Sequence, residues 1–344
     1  MDKSDGTLLL IGKFNAALQD ASTVTRDPYL AKLGSALATV EAAIQVIPEL
    51  KSYAATLDSL MGEAGFGLNG KLTEKFAQTL GEAQFVVMCH EKGISLRRIP
   101  EEKSKKTPDF GATVGACEMF FEIKTLSVVN GAIGITDAQE SSLDANIDIE
   151  SQLKQGKRIA IGTSEANPYS NKVDRDKTIL GVANTLLEKT RGNIKTDQFA
   201  NPNTFLVLNL SVIPPLVADP KALCPVYPDD YMFPKAVTGE LWMVAFGNKG
   251  MLIFGTPEFE GNSCVEGVFE KVGILVDSEY TAVAGIIFMI HPLSGPFQLY
   301  GLFRSSDWAD WQEKNPCLVN KVQTLVGRNW NDCRNSNGWQ LVGA

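Results

Sequence analysis

The stretch KTPDFGATVGACEMFFEIKTL, residues 106–126, places two carboxylates and a lysine among apolar residues and glycines. Alternate side chains of a strand share a face, and this stretch predicts two short strands joined by a turn. In the second strand Glu122 and Lys124 share their face with Phe120 and Leu126. Because a solvated face is usually polar throughout, we expect the charged pair to be partly buried.

Asp109 stands at the start of the first predicted strand, so pairing of the two strands would bring it close to Glu122 at one end of the sheet. Two neighbouring carboxylates repel unless a cation lies between them, and hard oxygen ligands suit Mg²⁺ or Mn²⁺. Lys124 can reach the same point and there orient or help to deprotonate the attacking water. The plain alternative is a turn aspartate followed by a Glu–Lys pair on a half-exposed strand.

A third carboxylate comes from the segment LGEAQFVVMCHEKG, residues 80–93, which has the pattern of a helix ending at Gly93. Helical spacing aligns Glu82 with apolar residues one and two turns later, so its face is partly apolar. Glu82 could therefore complete a metal shell. The alternatives are an ordinary surface glutamate at this position and Glu74 in the same role.

Residues 72–213 resemble the core of the PD-(D/E)xK nuclease superfamily, which includes restriction endonucleases and archaeal Holliday-junction resolvases. The matching parts are the helix with Glu82, a strand, the PD pair at 108–109, the strand with EIK at 122–124, a helix, and the strand TFLVLNL at 204–210. The resemblance implies a metal-dependent nuclease fold for this part of the chain.

The resemblance also implies a role for each site residue. Asp109 and Glu122 match the metal ligands, and the carbonyl of Ile123 matches a backbone ligand. Lys124 matches the catalytic lysine, and Glu82 matches the carboxylate of the helix. The predicted catalytic set is therefore these three acids with the lysine.

Other residues have weaker indications. The superfamily often carries a Gln or Lys on its later helix, for which Gln198 and Lys195 are loose candidates. Basic residues cluster in RRIPEEKSKK (97–106) and KQGKRIAIG (154–162), and they could bind phosphates. The alternative is that these charged loops keep the surface soluble.

The element pattern predicts an α/β fold: a restriction-endonuclease-like core with a mixed central sheet flanked by helices. We expect a helical N-terminal segment at 1–66, the nuclease-like core at 67–213 and a strand-rich extension at 214–344 packed on the core sheet. Within the extension, LWMVAFG (241–247) is predicted to be a strand. The polar residues 130–177 are predicted to form a loop with a short helix.

The length, net charge and cysteine content of the chain restrict the classes of function that it can have. The chain has 344 residues and a net charge of −8, which counts against a protein whose whole surface binds nucleic acid. Six cysteines without C-x-x-C spacing, and two histidines, do not predict a structural zinc site. The absence of a signal-peptide pattern and of a long apolar run predicts a soluble, cytoplasmic protein without a membrane partner.

Together these features predict an endonuclease of the restriction or defence type, which uses Mg²⁺ or Mn²⁺ to hydrolyse DNA phosphodiester bonds. RNA is the alternative substrate. A homodimer is expected, since two copies can cut both strands. The second hypothesis, motivated by the acidic balance, is a non-catalytic binding or structural protein that reuses a nuclease-like fold.

Overall fold

A computed structural model describes most of the chain. The described residues are 10–19, 28–66, 70–100, 106–126, 135–163, 179–210, 240–254, 265–290, 297–327 and 330–332. The helices are α1 (Leu10–Gln19), α2 (Pro28–Ala43), α3 (Leu50–Met61), α4 (Gly70–Glu91), α5 (Ile135–Lys154), α6 (Ile179–Asn193), α7 (Glu240–Phe246), α8 (Ser305–Lys314) and α9 (Pro316–Val326). The strands are β1 (Arg97–Arg98), β2 (Phe110–Val114), β3 (Cys117–Thr125), β4 (Thr204–Asn209), β5 (Met251–Phe254), β6 (Val265–Phe269), β7 (Gly285–Ile290), β8 (Gln298–Phe303) and β9 (Trp330–Asp332).

The described residues fall into two compact units. The first unit comprises those within 1–87 and 127–168, and the second comprises those within 88–126 and 169–344. The division falls inside α4, near its C-terminal end. The predicted division into 1–66, 67–213 and 214–344 stays a prediction, although strands from the last of these segments belong to the same sheet as β3 and β4.

The first unit is helical in its described part. Phe14, Phe66 and Phe76 form its aromatic centre, with ring centroids 5.1 to 6.1 Å apart. The carboxylate of Glu41 accepts hydrogen bonds from the backbone N–H groups of Leu10, at 2.7 Å, and Ile11, at 3.3 Å. These N–H groups open α1 and have no partner within that helix, so a side chain from α2 caps α1.

The second unit is built on a seven-stranded sheet with the strand order β1-β2-β3-β4-β7-β8-β9. β3–β4, β4–β7 and β8–β9 pair in parallel, and the remaining pairs are antiparallel. β5 and β6 form a separate antiparallel pair. The predicted α/β class, with a mixed sheet and flanking helices, is confirmed.

The two faces of this sheet pack on different partners. One face belongs to a hydrophobic core shared with α6 and α7, which includes Leu186, Leu206, Met243 and Ile286. The other face is aromatic. On it Phe121, Phe205 and Phe303 form a cluster with Trp308 and Trp311 of α8, in which the centroids of contacting rings are 5.2 to 6.2 Å apart. Because side chains alternate along a strand, Glu122 and Lys124 lie on the face that α6 and α7 cover.

Two secondary-structure predictions are wrong. Residues 241–247, predicted as a strand, lie almost entirely in α7, of which all seven residues are buried. A short apolar run buried on every side carries neither helical nor strand periodicity, which is why the prediction failed. Residues 130–177 contain the 20-residue helix α5 rather than a short helix. No helix in the described ranges is both long and apolar enough to cross a membrane.

Candidate metal centre

Strand pairing brings Asp109 to Glu122. β2 and β3 are antiparallel with Phe110 opposite Phe121, so the residue before β2 comes beside the residue after Phe121. The carboxylate of Asp109 accepts a hydrogen bond from the backbone N–H of Ile123 at 2.7 Å. That bond holds the acid against β3, next to Glu122.

Glu122 is buried, with 1 % of its surface exposed. Its Oε1 accepts from two donors, the Nζ of Lys124 and the Nε2 of Gln198. Its Oε2 is also buried and makes no hydrogen bond within the described part of the chain. A buried carboxylate oxygen without a donor is costly, and a cation is one group that would satisfy it.

The surroundings of Glu122 raise its pKa from the ordinary value of 4.5 to about 7. Burial is the largest cause, because it disfavours the charged form, and the charge of Asp109 adds to it. The ammonium of Lys124 opposes both effects. A bound cation would offset the repulsion between the two carboxylates and so favour their charged forms.

Lys124 combines a fixed position with access to solvent. Its side chain is 22 % exposed while its Nζ pairs with the buried Glu122. The two residues are separated by one position on β3, so they share a face. The ammonium therefore stands at the boundary between the buried carboxylate and the solvent.

Gln198 joins the site from outside the motif. It lies on a 3₁₀ helix, Thr196–Phe199, between α6 and β4, and it is buried. Its Oε1 accepts from the backbone N–H of Lys195 at 2.9 Å, so its NH₂ group faces Glu122. The side chain of Lys195 is exposed. Of the two loose candidates, the structure therefore brings Gln198 to the acids, whereas Lys195 contributes a backbone contact.

Glu82 lies in the first compact unit, whereas the other site residues lie in the second. It is half-buried on α4, and its Oε2 accepts a hydrogen bond from the hydroxyl of Tyr53 at 3.0 Å. This bond gives Glu82 a structural partner within its own unit. Its assignment as the third carboxylate stays a prediction.

The basic clusters have mixed environments. Arg97 pairs with Glu118 at 2.5 Å across the β1–β2–β3 edge, so its charge is already matched. Lys157 and Arg158 are exposed in the first unit. Lys103 and Lys105 lie outside the described residues. A phosphate-binding role for these clusters stays a prediction.

The donor set fits a hard divalent cation. The side chains of Asp109 and Glu122 supply oxygens, and the carbonyl of Ile123 directly follows Glu122 on the same strand. No group of three or more His, Cys, Asp or Glu side chains within the described ranges is arranged to hold a metal ion. Two carboxylates agree with the habit of Mg²⁺, which keeps several waters and is held by few protein ligands.

Comparison with known proteins adds no relative. No family model, curated protein or solved structure matches this chain. The functional assignment therefore depends on the geometry and chemistry of the site itself.

Proposed function

We propose that the chain is a Mg²⁺- or Mn²⁺-dependent nuclease that hydrolyses phosphodiester bonds of DNA. The observation that carries this proposal is the position of Asp109 beside the buried Glu122, whose Oε2 has no hydrogen-bond partner among the described residues. The lysine that contacts the same carboxylate completes the set of groups that such hydrolysis needs.

The proposed fold assignment is a restriction-endonuclease-like core. Its support is the order of elements in the chain, α4, β1, β2, β3, α6 and β4, with the PD pair before β2 and the E-x-K residues on β3. This is the order on which the resemblance to the PD-(D/E)xK superfamily depends. The intervening α5 is an insertion relative to that order.

In this proposal Asp109, Glu122 and the carbonyl of Ile123 hold the cation. When bound, the cation polarises the scissile phosphate and makes a neighbouring water easier to deprotonate. Lys124 orients that water and offsets the charge that develops on the phosphate, since its ammonium lies at the solvent-facing side of Glu122. Gln198 keeps Glu122 in place through its hydrogen bond to Oε1.

The test is cleavage of supercoiled plasmid, single-stranded DNA and RNA by the purified chain with Mg²⁺, Mn²⁺ or a chelator. Lys124→Ala is compared with Lys92→Ala, which removes an exposed lysine of the same unit. We expect Lys124→Ala to lower the cleavage rate by about 10² to 10³, the range for removal of a group that stabilises charge in the transition state. Lys92→Ala should keep the rate of the parent.

Equal cleavage by Lys124→Ala and the parent protein would exclude this mechanism. Cleavage of RNA alone would reassign the substrate. Absence of any cleavage, together with no heat of Mn²⁺ binding in calorimetry, would favour the second hypothesis. In that case the cluster around Glu122 would be a buried polar network of a binding or structural protein.

A further inference from the structure

Helix α5 and the chain that follows it carry large apolar side chains on the outside of the protein. Within residues 143–163 the structure buries no side chain. Five large apolar residues of this stretch are between 50 % and 78 % exposed, namely Leu143, Ile147, Leu153, Ile159 and Ile161. We call these residues the α5 surface. Apolar groups concentrated in this way on a polar exterior mark an interaction site.

The chain after α5 is fixed to the helix rather than loose. Gln152 donates its Nε2 to the carbonyl of Ile161 at 2.9 Å and accepts from the N–H of Ile161 at 3.3 Å. Gly162 approaches the backbone carbonyl of Ala145 so closely that a Cβ would not fit. The returning chain therefore covers one side of α5, and Leu143 and Ile147, which are one turn apart, lie on another.

The charges on this element are divided between its two ends. The acidic Asp144, Asp148 and Glu150 are exposed along the helix, and Glu150 pairs with Lys154 at 3.6 Å. The basic Lys154, Lys157 and Arg158 are exposed at its C-terminal end and just beyond. A surface with one sign at each end is complementary to a copy of itself turned end to end.

We infer that the α5 surface is a homodimer interface in which α5 of one copy packs antiparallel on α5 of a second copy. A two-fold axis near the level of Ser151 places Asp148 of one copy beside Lys154 of the other, and Asp144 beside Lys157 and Arg158. The same axis brings the acidic half of each helix to the basic end of its partner. A parallel pair would instead place like charges together, at a cost in free energy.

The α5 surface contains no residue of the candidate metal centre, so the inferred dimer is independent of the proposed nuclease activity. The sequence predicts a homodimer, and this inference adds the surface and the orientation of the two copies. The competing occupant is nucleic acid bound by Lys157 and Arg158, which would need no apolar contact.

The test is sedimentation velocity of the full chain without nucleic acid over a dilution series. We expect a monomer–dimer equilibrium, and Ile147→Asp should raise the dimer dissociation constant at least tenfold. The matched control is Val46→Asp, because Val46 is 66 % exposed and belongs to the same unit but lies outside the α5 surface. Circular dichroism of each variant checks that it is folded.

Charge reversal tests the orientation. Asp144→Lys and Lys157→Glu should each weaken the dimer, and a mixture of the two variants should restore association, because each then meets an opposite charge on its partner. A monomer at all concentrations, or a dimer indifferent to Ile147→Asp and to both reversals, would overturn the inference. So would variants that associate normally but bind DNA less well, which would assign the basic end to nucleic acid.

Discussion

Gln198 donates a hydrogen bond to Oε1 of Glu122, although 76 residues separate the two in the chain. The second end of the Gln198 side chain is held by the N–H of Lys195. A primary amide fixed at its oxygen has a defined direction for its NH₂ group. The glutamine therefore acts as a brace between the α6–β4 connection and the buried carboxylate.

Replacing Gln198 should weaken metal binding without unfolding the protein. In Gln198→Ala, Glu122 loses a donor and its position is less defined, so we expect the affinity for Mn²⁺ to fall about tenfold or more. Calorimetric titration with Mn²⁺ measures this. Asn193→Ala is the control, since Asn193 lies just before the same 3₁₀ helix and its exposed amide donates to the carbonyl of Lys189 within α6.

An unchanged Mn²⁺ affinity in Gln198→Ala would remove Gln198 from the site. A fall of similar size in Asn193→Ala would show that any change in this connection disturbs the protein. Gln198→Glu offers a second comparison. It also removes the donor to Glu122 but sets a third carboxylate beside it, and because a cation offsets repulsion among carboxylates, this variant should bind Mn²⁺ more tightly than Gln198→Ala.

The raised pKa of Glu122 predicts how stability without metal depends on pH. Since its folded-state pKa is about 7 and its ordinary value is 4.5, the folded protein binds more protons than the unfolded chain between these values. The free energy of unfolding therefore falls as pH rises through this window, by about 3 kcal/mol from this group. Below the window the carboxyl is protonated in both states, and above it the full penalty is present.

Glu122→Gln removes this contribution. Urea denaturation should therefore show the variant gaining about 3 kcal/mol relative to the parent between pH 4 and pH 8. Glu118→Gln changes an exposed residue of the same strand, and its free energy of unfolding should depend on pH as that of the parent does. If the free energy of unfolding of Glu122→Gln also follows that of the parent, the carboxyl at 122 does not titrate in this pH window.

The sequence predicted the part of the site that strand periodicity controls. Alternation along β3 predicts that Glu122 and Lys124 share a face, and an antiparallel turn before it brings Asp109 near. Gln198 could be named only loosely, because no local pattern relates a residue before β4 to a side chain on β3. That relation arises from the parallel pairing of the two strands, which follows from tertiary packing.

Sequence periodicity also failed to predict two helices, α7 and α5. α7 is buried on all sides, so its sequence lacks the one-sided pattern that identifies a helix. The prediction for α5 is wrong for the opposite reason. None of its described side chains is buried, and a polar segment without a stripe of core-facing apolar residues has the pattern of a loop. Both helices depart from the amphipathic pattern, one toward the interior and the other toward the solvent.

Arg304 is predicted to be a major stabilising residue of the second unit. Its guanidinium donates to the carbonyls of Leu275 at 2.8 Å, Tyr280 at 2.9 Å and Val283, and it pairs with Asp307 at 3.2 Å. Arg304→Lys keeps the charge but cannot serve these acceptors together, because an ammonium lacks the planar fork. We expect a loss of about 3 kcal/mol in the free energy of unfolding, measured in urea.

The control is Arg97→Lys. Arg97 pairs with Glu118 where both side chains are 50 % exposed, and such surface pairs contribute about 0 to 1 kcal/mol. A loss in Arg304→Lys no larger than that in Arg97→Lys would contradict the assigned role.

Two glycines of the second unit should respond oppositely to alanine. A Cβ on Gly273 would lie 2.6 Å from the carbonyl carbon and oxygen of Ala245 and 2.7 Å from the nitrogen of Phe246, all backbone atoms of α7. The hydrogen bonds from Ile274 to Val244 and from Leu275 to Ala245 fix this close approach. Gly273→Ala must therefore displace α7, and we expect it to cost about 3 kcal/mol.

Gly192, in the last turn of α6, has open space where a Cβ would lie, with nothing within 4 Å of that position. Alanine is the better helix former there by about 0.5 to 1 kcal/mol. Gly192→Ala should accordingly raise the melting temperature while Gly273→Ala lowers it, both measured by thermal denaturation. Because α7 supplies buried side chains to the core on the face of the sheet that carries Glu122, Gly273→Ala should also weaken Mn²⁺ binding. A Gly273→Ala protein as stable as the parent would show that the chain at 273 can move away from α7 at little cost.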